Sequence, residues 1–470
     1  MSRQPKKRNL IVAAFALMLA VVTPATASAA TSAPLTATGG TSRTQELHPA
    51  TAQSGELSLA AGQRQPMAVK QDCATVRANL RAYARNTRKP IGCLSPSTPS
   101  AVAGKGATAE VAIPQVGEST PCDDLAANEW WYNRTLACIH DETTTFTEYD
   151  SEDGAVLGTA VLSLDQVIEP NSASTAWTEQ VSLTMTAAEG EVSVLDASLV
   201  DTCTSPCTTT GTDAFDGDDE VTDGETLLGS VQFEDSPASG TQNLTLGENL
   251  LTVLQPGTDP INSEESWNDS LQVRCDDSLS SDIVEGADDS DAVQPADADP
   301  PDEPAGCVYP TAIPTFEPSL GTYKGSAAMI LWAQNYLPGA WGTQSNPLHR
   351  YSGRARQRAN RSVICGTSSG WTTVTTVTDD SCDEFPFAAT TESGALNGLT
   401  GPDCAEIEPI QDPVTGTWSV LYNEPVTYTE GCVRAHVTLG DNTGLGRALG
   451  TFTVLNRVLD GDPYYLTVVA

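Results

Sequence analysis

Positive charge is scarce in this 470-residue chain: 24 Lys and Arg stand against 61 Asp and Glu, a net charge of −37 at pH 7. That balance excludes a protein that grips polyanions over its whole surface. Histidine is scarcer still, with four copies, so a Ser-His-Asp triad has little support. Long apolar runs are missing after the start of the chain, which excludes a later transmembrane helix. The one unbroken run, Leu10 to Val22, follows Arg3, Lys6, Lys7 and Arg8 and precedes an Ala27-Ser28-Ala29 cleavage signal. It is too short to span a bilayer, and residues 1–29 read as a secretory signal peptide. No internal repeat is visible.

What is present fits an exported chain of two or three domains. Its 12 cysteines, none in CxxC zinc spacing, favour disulfides. Spacing does not fix connectivity, but near neighbours suggest Cys73–Cys93, Cys122–Cys138, Cys203–Cys207, Cys275–Cys307, Cys365–Cys382 and Cys404–Cys432. Residues 30–105 are rich in Ala, Thr, Ser, Gly and Pro and read as a flexible segment holding one short helix at "CATVRANLRAYARN". Residues 106–275 carry short alternating Thr/Val/Leu runs such as "AVLGTAVLSL" and "TEQVSLTMTA", the pattern of half-buried strands, and predict an all-β, sandwich-like domain. Residues 276–306 form an acidic, proline-broken linker. Within the β-rich stretch "DAFDGDDEVTDGE" resembles a calcium loop, but no frame puts glycine at the sixth position, and a solvated acidic loop is expected.

From Cys307 onward the text predicts an α+β unit. "GSAAMILWAQNYLPGAWG" has helical spacing, "WTTVTTV", "TWSVLYN" and "CVRAHVTL" read as strands, and "GDNTGLGRALG" opens a helix that Asp441 or Asn442 can cap. "GTSSG" matches a nucleophile elbow only on paper, because a strand-like run follows it where a helix is required. His436 alternates along a strand beside Arg434 and reads as a surface or sheet-face residue. This region holds nine Lys and Arg against fifteen Asp and Glu, a net of −6, so about −31 lies upstream. Five of the nine cations, Arg350, Arg354, Arg356, Arg358 and Arg361, crowd into "HRYSGRARQRANR", which reads either as a phosphate grip or as a solvated helix face.

"SCDEFPFAAT", Ser381 to Thr390, sets two adjacent carboxylates between a cysteine and an apolar Phe-Pro-Phe run. They are either a solvated strand end or the acid–base end of a site. Together with "GDNTGLGRALG" and "NRVLDGDPYYL", in that order, the stretch resembles the NucA/NucB family of secreted bacterial deoxyribonucleases over roughly residues 345–470. The resemblance implies a nuclease domain at 307–470 with the ββα-metal (His-Me finger) fold. In it Asp383 stands where related enzymes place a histidine base, Glu384 adjoins it, and Asn442 opens the following helix. It also implies a divalent ion, Mg²⁺ or Mn²⁺, with Asn456 as first candidate ligand and Glu392 as the alternative. Glu384 next door, or burial behind Phe385-Pro386-Phe387, would raise the pKa of Asp383 toward a useful value. The long insertion "LTGPDCAEIEPIQDPVTGTW" departs from the family pattern and leaves the strand register around the site open.

These readings lead to a secreted, metal-dependent endonuclease of low sequence specificity acting on extracellular DNA, free of membrane in its mature form. The alternative is a secreted surface or binding protein whose nuclease-like domain has lost activity. Oligomeric state is not legible.

Overall fold

The structure is a computed structural model. It describes residues 305–470 without interruption and, before them, chiefly 45–47, 63–66, 89–96, 129–204, 206–210, 214–235, 240–245, 248–262, 264–268 and 271–279, with a few single positions. The signal peptide, most of the 30–105 segment and most of the acidic linker lie outside the described residues; of the expected short helix only Cys73 and Arg77 are described, and both are helical.

Alternating Thr, Val and Leu build long strands in the first half because each strand buries every second residue. β1 (Ala137–Tyr149), β2 (Val156–Glu169) and β3 (Ala176–Gly190) run antiparallel at the centre of a nine-stranded sheet. Their inward rows, such as Leu162, Leu164 and Ile168 of β2, meet Trp130, Trp177 and Phe233 in one apolar core. A four-stranded sheet containing Val194–Val200 and Phe215–Thr222 contributes Leu195, Leu199 and Phe215 to the same core. The acidic stretch expected as a loop is therefore partly a strand, its carboxylates on the wet edge of Phe215–Thr222. β4 (Gln272–Asp276) pairs with Gly306–Val308, and Cys275–Cys307 locks that pair. The other five disulfides join Cys73–Cys93, Cys122–Cys138, Cys203–Cys207, Cys365–Cys382 and Cys404–Cys432.

The fold class is not the expected one. The chain is mostly β, 44% strand and 18% helical with three helices among the described residues, around a curled antiparallel half-barrel; it is not an α+β ββα-metal nuclease fold. The physical reason in the C-terminal region is the insertion after Thr400. It supplies β6 (Ala405–Gln411), which pairs in parallel with β7 (Val433–Thr438), so β5 (Asp380–Phe385) belongs to a five-stranded sheet rather than to a simple hairpin. "WTTVTTV" is not a strand: Trp371 leaves the sheet direction to stack on His436, and Val374 donates its N–H to Asp380.

Three helices pack around that sheet: α1 (Leu320–Tyr336), α2 (Arg354–Cys365) and α3 (Leu439–Leu455). α1 is apolar on all sides from Ala327 to Ala333 and correspondingly buried. It breaks at Lys324, whose φ is 41°, and starts again at Gly325. α3 is capped by Thr438, whose hydroxyl accepts from Asp441 N–H, rather than by Asp441 or Asn442. No helix among the described residues is long and apolar enough to cross a membrane.

Ser42–Ala470 forms one compact unit, and buried charge holds its two halves together. α3 ends at Asn456, and Arg457 takes the left-handed conformation, φ 43°, that usually favours glycine. Its guanidinium justifies the strain. Nε and Nη2 donate to the two Asp276 carboxylate oxygens at 3.0 and 2.6 Å, and Nη1 donates to Ser172 O at 2.7 Å. Arg134 and Arg274 from the β-rich half both reach Asp462 of the closing turn, at 3.1 and 2.7 Å, and both donate to Arg457 O. Burial, then the neighbouring Arg274, pushes the Arg134 guanidinium down to about 10.

Removing one partner of such a pair strands a buried charge. Asp276→Ala should cost about 3–5 kcal/mol in urea unfolding, whereas the paired replacement Asp276→Leu with Arg457→Met should recover most of it. A single Asp276→Ala within about 1 kcal/mol of the parent would show that the clasp is not holding the halves.

Candidate functional site

Alternation along β5 decides what the Asp-Glu pair is. Successive strand residues point to opposite faces, and the register sets Asp383 against Ala435 and Glu384 against Arg434. The two carboxylates therefore serve two different environments.

Glu384 faces α2. Its Oε1 pairs with Arg361 Nε at 3.5 Å, and its Oε2 lies 3.3 Å from Sγ of Cys365, which is bonded to Cys382. The same face carries a buried ion network. His436 is 1% exposed, with Nδ1 2.8 Å from Asp380 Oδ2 and Nε2 3.3 Å from Glu406 Oε1. Glu406 also holds Arg434 at 2.6 Å, and Trp371 lies over the imidazole with ring centroids 3.9 Å apart. Two acceptors on one ring call for the imidazolium. Burial opposes that charge, but Glu406 and Asp380 outweigh it and raise the pKa of His436, while the His436 bond holds Glu406 low. His436 is thus a sheet-face residue, but an internal and charged one.

Asp383 faces the other way, toward α1 and α3. It is buried, and its Oδ2 has no hydrogen-bond partner; nor does the Ser326 hydroxyl at the restarted end of α1. Burial pushes the Asp383 carboxyl up to about 6. Ser326, Arg361 and the Glu384 N–H temper the shift, and Asp441 adds to it. Glu384 is not among the charges that raise it. Asp441 stands in the first turn of α3, and the close approach of α1 depends on Gly325. A Cβ there would lie 3.1 Å from Val437 Cγ1 and 3.8 Å from Asp441 Oδ2. Asn442 is half-buried, its Nδ2 donating to Ser381 Oγ at 3.0 Å and to Cys382 O at 2.8 Å, which anchors α3 to β5 and leaves Oδ1 as its remaining acceptor.

The other anticipated residues lie elsewhere or are engaged. Asn456 is at the opposite end of α3, about 21 Å from Asn442 along the helix axis. Its Nδ2 donates to Phe452 O, and its carbonyl accepts from Arg134. The two asparagines do not share a site. Glu392 accepts from the His349 N–H at 2.9 Å, the His349 ring at 2.8 Å and the Thr391 hydroxyl at 2.9 Å. Arg350 is buried, donating to Val458 O, and is part of the interior. Arg356 covers the Tyr351 ring at 4.3 Å. Arg354, Arg358 and Arg361 recur at helical spacing on one side of α2, the side that runs toward Cys365 and Glu384. Sequence reading passed over Asp441 as a functional residue; the signal available was a carboxylate beside Asn442 where strand passes directly into helix.

Comparison with protein-family models, with curated proteins and with solved structures finds no match for this chain.

Because the folded state binds the Asp383 proton more tightly than the unfolded chain does, this residue lowers stability as pH rises from about 4 through 6. Asp383→Asn should match the parent near pH 4 and exceed it by up to about 3 kcal/mol at pH 8, read by thermal or urea unfolding across pH. His436 has the opposite sign: its contribution is complete below the ordinary histidine pKa and fades as pH rises through the raised value. An Asp383→Asn difference that is flat with pH would show that Asp383 is not a buried acid of raised pKa.

Proposed function

We propose that the C-terminal region hydrolyses phosphodiester bonds of DNA outside the cell, with Asp383 as the base. A single observation carries the reading: a buried aspartate with an unpartnered carboxylate oxygen and a pKa near 6. An ordinary aspartate is too weak a base to take a proton from water at neutral pH; one held near 6 is still ionised there and is a better base. The motif resemblance over residues 345–470 supplies the substrate class, and disulfides throughout the chain agree with work in an oxidising environment.

In this scheme water attacks phosphorus as its proton passes to Asp383, and the bond from phosphorus to the leaving oxygen breaks. Arg354 and Arg358 contact flanking phosphates without reading bases. Arg361 stays with Glu384 and supports the α2 side of β5. Hard oxygen donors suit a hard divalent ion: Asp441 and the carboxamide oxygen of Asn442 would hold Mg²⁺ or Mn²⁺, which would offset charge developing on the phosphate. Asn442 also fixes the position of β5 against α3.

The competing reading, a binding protein with an inactive nuclease-like region, draws on the −37 net charge of the chain, which repels DNA. Plasmid cleavage separates the two. Activity should disappear with EDTA, fall at least about 100-fold in Asp383→Asn with the fold intact, and show an acid limb near pH 6. Asp441→Asn should lower kcat and raise the Mn²⁺ requirement. Arg354→Ala with Arg358→Ala should flatten the salt dependence of binding by about two phosphate contacts. Absence of cleavage under all divalent conditions favours the binding protein, and full activity in Asp383→Asn removes Asp383 from the chemistry.

A further inference from the structure

A second cluster of ligating side chains lies in the β-rich half. β1 and β2 lose register between Ile139 and Glu142, where His140 and Asp141 together oppose the single residue Asp165. Two residues against one is a β-bulge, and bulges re-aim side chains that strict alternation would send to opposite faces. Asp141 takes a positive φ of 51° to make the turn; the His140 ring and the Asp141 N–H reach Asp165, and the Asp141 carboxylate turns toward the His140 ring.

The arrangement orients each group. His140 Nδ1 lies 2.7 Å from Asp165 Oδ1. Asp165 also accepts from the Asp141 N–H at 3.0 Å and, on its other oxygen, from the Ser182 hydroxyl at 3.0 Å. Three donors can hold that carboxylate in place. Two carboxylates on one ring favour the imidazolium, as at His436; a divalent ion would displace the proton on Nε2, which lies 3.5 Å from Asp141 Oδ2, while Asp165 accepts from Nδ1–H and Asp141 Oδ1 accepts from Ser163 at 3.1 Å. A carboxylate behind one ring nitrogen and an acceptor position at the other is the arrangement that directs histidine toward a metal. The spacing agrees: bonds of about 2.0–2.1 Å in tetrahedral geometry set neighbouring ligand atoms about 3.4 Å apart. Ligand atoms of all three residues fall within 4.8 Å of one another. Among the described residues this is the group of three His, Cys, Asp or Glu side chains whose ligand atoms come this close together.

We propose that His140 Nε2 and Asp141 Oδ2 bind a borderline divalent ion of the zinc class, with Asp165 as the carboxylate that orients the ring. Asp141 is 70% exposed, so water completes the coordination, and the ion pins the bulge between the two central strands. The site is independent of the Asp383 region: it lies on another sheet and needs a softer ion than Mg²⁺.

The test uses the full-length, oxidised protein titrated with Zn²⁺ at pH 7.5 by calorimetry, and with Co²⁺ to read the absorption of a tetrahedral site. The parent should bind one more Zn²⁺ than His140→Ala or Asp141→Asn. Asp165→Asn should weaken that ion about 10–100-fold, and Asp383→Asn should leave it unchanged. Asp141→Asn keeps the shape of an exposed side chain, so loss of binding there is not a folding artefact. Equal stoichiometry and affinity in the parent, His140→Ala and Asp141→Asn would overturn the proposal. It would leave a protonated His140 paired with two aspartates.

Discussion

The two-residue period of β5 is the constraint on which the candidate site depends. A backbone paired along its length with β7 has no freedom to turn neighbouring side chains to one side, so Cys382 and Glu384 go to α2 while Asp383 goes to α1 and α3. Each face then acquires its own chemistry. The α2 face gathers every compensating charge, with Arg361, Arg434 and His436 matched to Glu384, Glu406 and Asp380. The opposite face gathers almost none, and an acid there must either be paired or hold its proton. Asp383 is left with the Ser326 hydroxyl, whose pull does not offset burial, and a second carboxylate in the next helix. Its raised pKa follows first from burial, with Asp441 adding to it.

The same separation explains why the acidic half is not a detachable appendage. Arg457, which ends α3, occupies a strained backbone position because Asp276 and Ser172 from the other half bind its guanidinium. A chain begun near Cys307 would keep Arg457 and lose Asp276, Arg134 and Arg274 at once. The buried guanidinium would then need water or a new partner, which is the costly way to break an ion pair. Charge removed from the surface by such a truncation is therefore not separable from stability. Tests of electrostatic repulsion are cleaner with surface substitutions in the whole chain.

Local pattern carried much of the architecture. The Thr/Val/Leu alternation of residues 137–190 lies in long strands, the apolar spacing of 325–336 lies in α1, and the near-neighbour cysteine pairs are the pairs that bond. What local pattern lacks is partner choice. "WTTVTTV" alternates like a strand, but an aromatic stack on His436 and a hydrogen bond to Asp380 take its residues out of the ladder. The insertion after Thr400 looked like a long hairpin, yet it forms a parallel neighbour for β7, a long-range pairing that spacing does not encode. That pairing, with the half-barrel before it, is what moved the fold away from the expected ββα arrangement. At the site, Asp383 and Asn442 were legible because each stands in a distinctive short motif. The placement of Asp441 was not, because it depends on where α1 breaks and how closely Gly325 lets it approach. Asn456 was misplaced by treating helical angle as sufficient when the axial rise separates the two asparagines.

Charge counting shows the same limit in another form. Nine cations follow Cys307, and on paper five of them form one basic patch. Arg350, Arg434 and Arg457 are each less than a tenth exposed and spend their hydrogen bonds on carbonyls and carboxylates of the interior. Arg361 is held to Glu384, and Arg356 lies against Tyr351 and Asp460. The cations outside these contacts are Arg354 and Arg358, one turn apart on α2, and the exposed Lys324 and Arg447 on α1 and α3. So few contacts give weak, strongly salt-dependent attachment in a chain whose net charge is −37. If the proposed nuclease reading holds, these cations would grip DNA briefly and locally, through its backbone and without reading its bases.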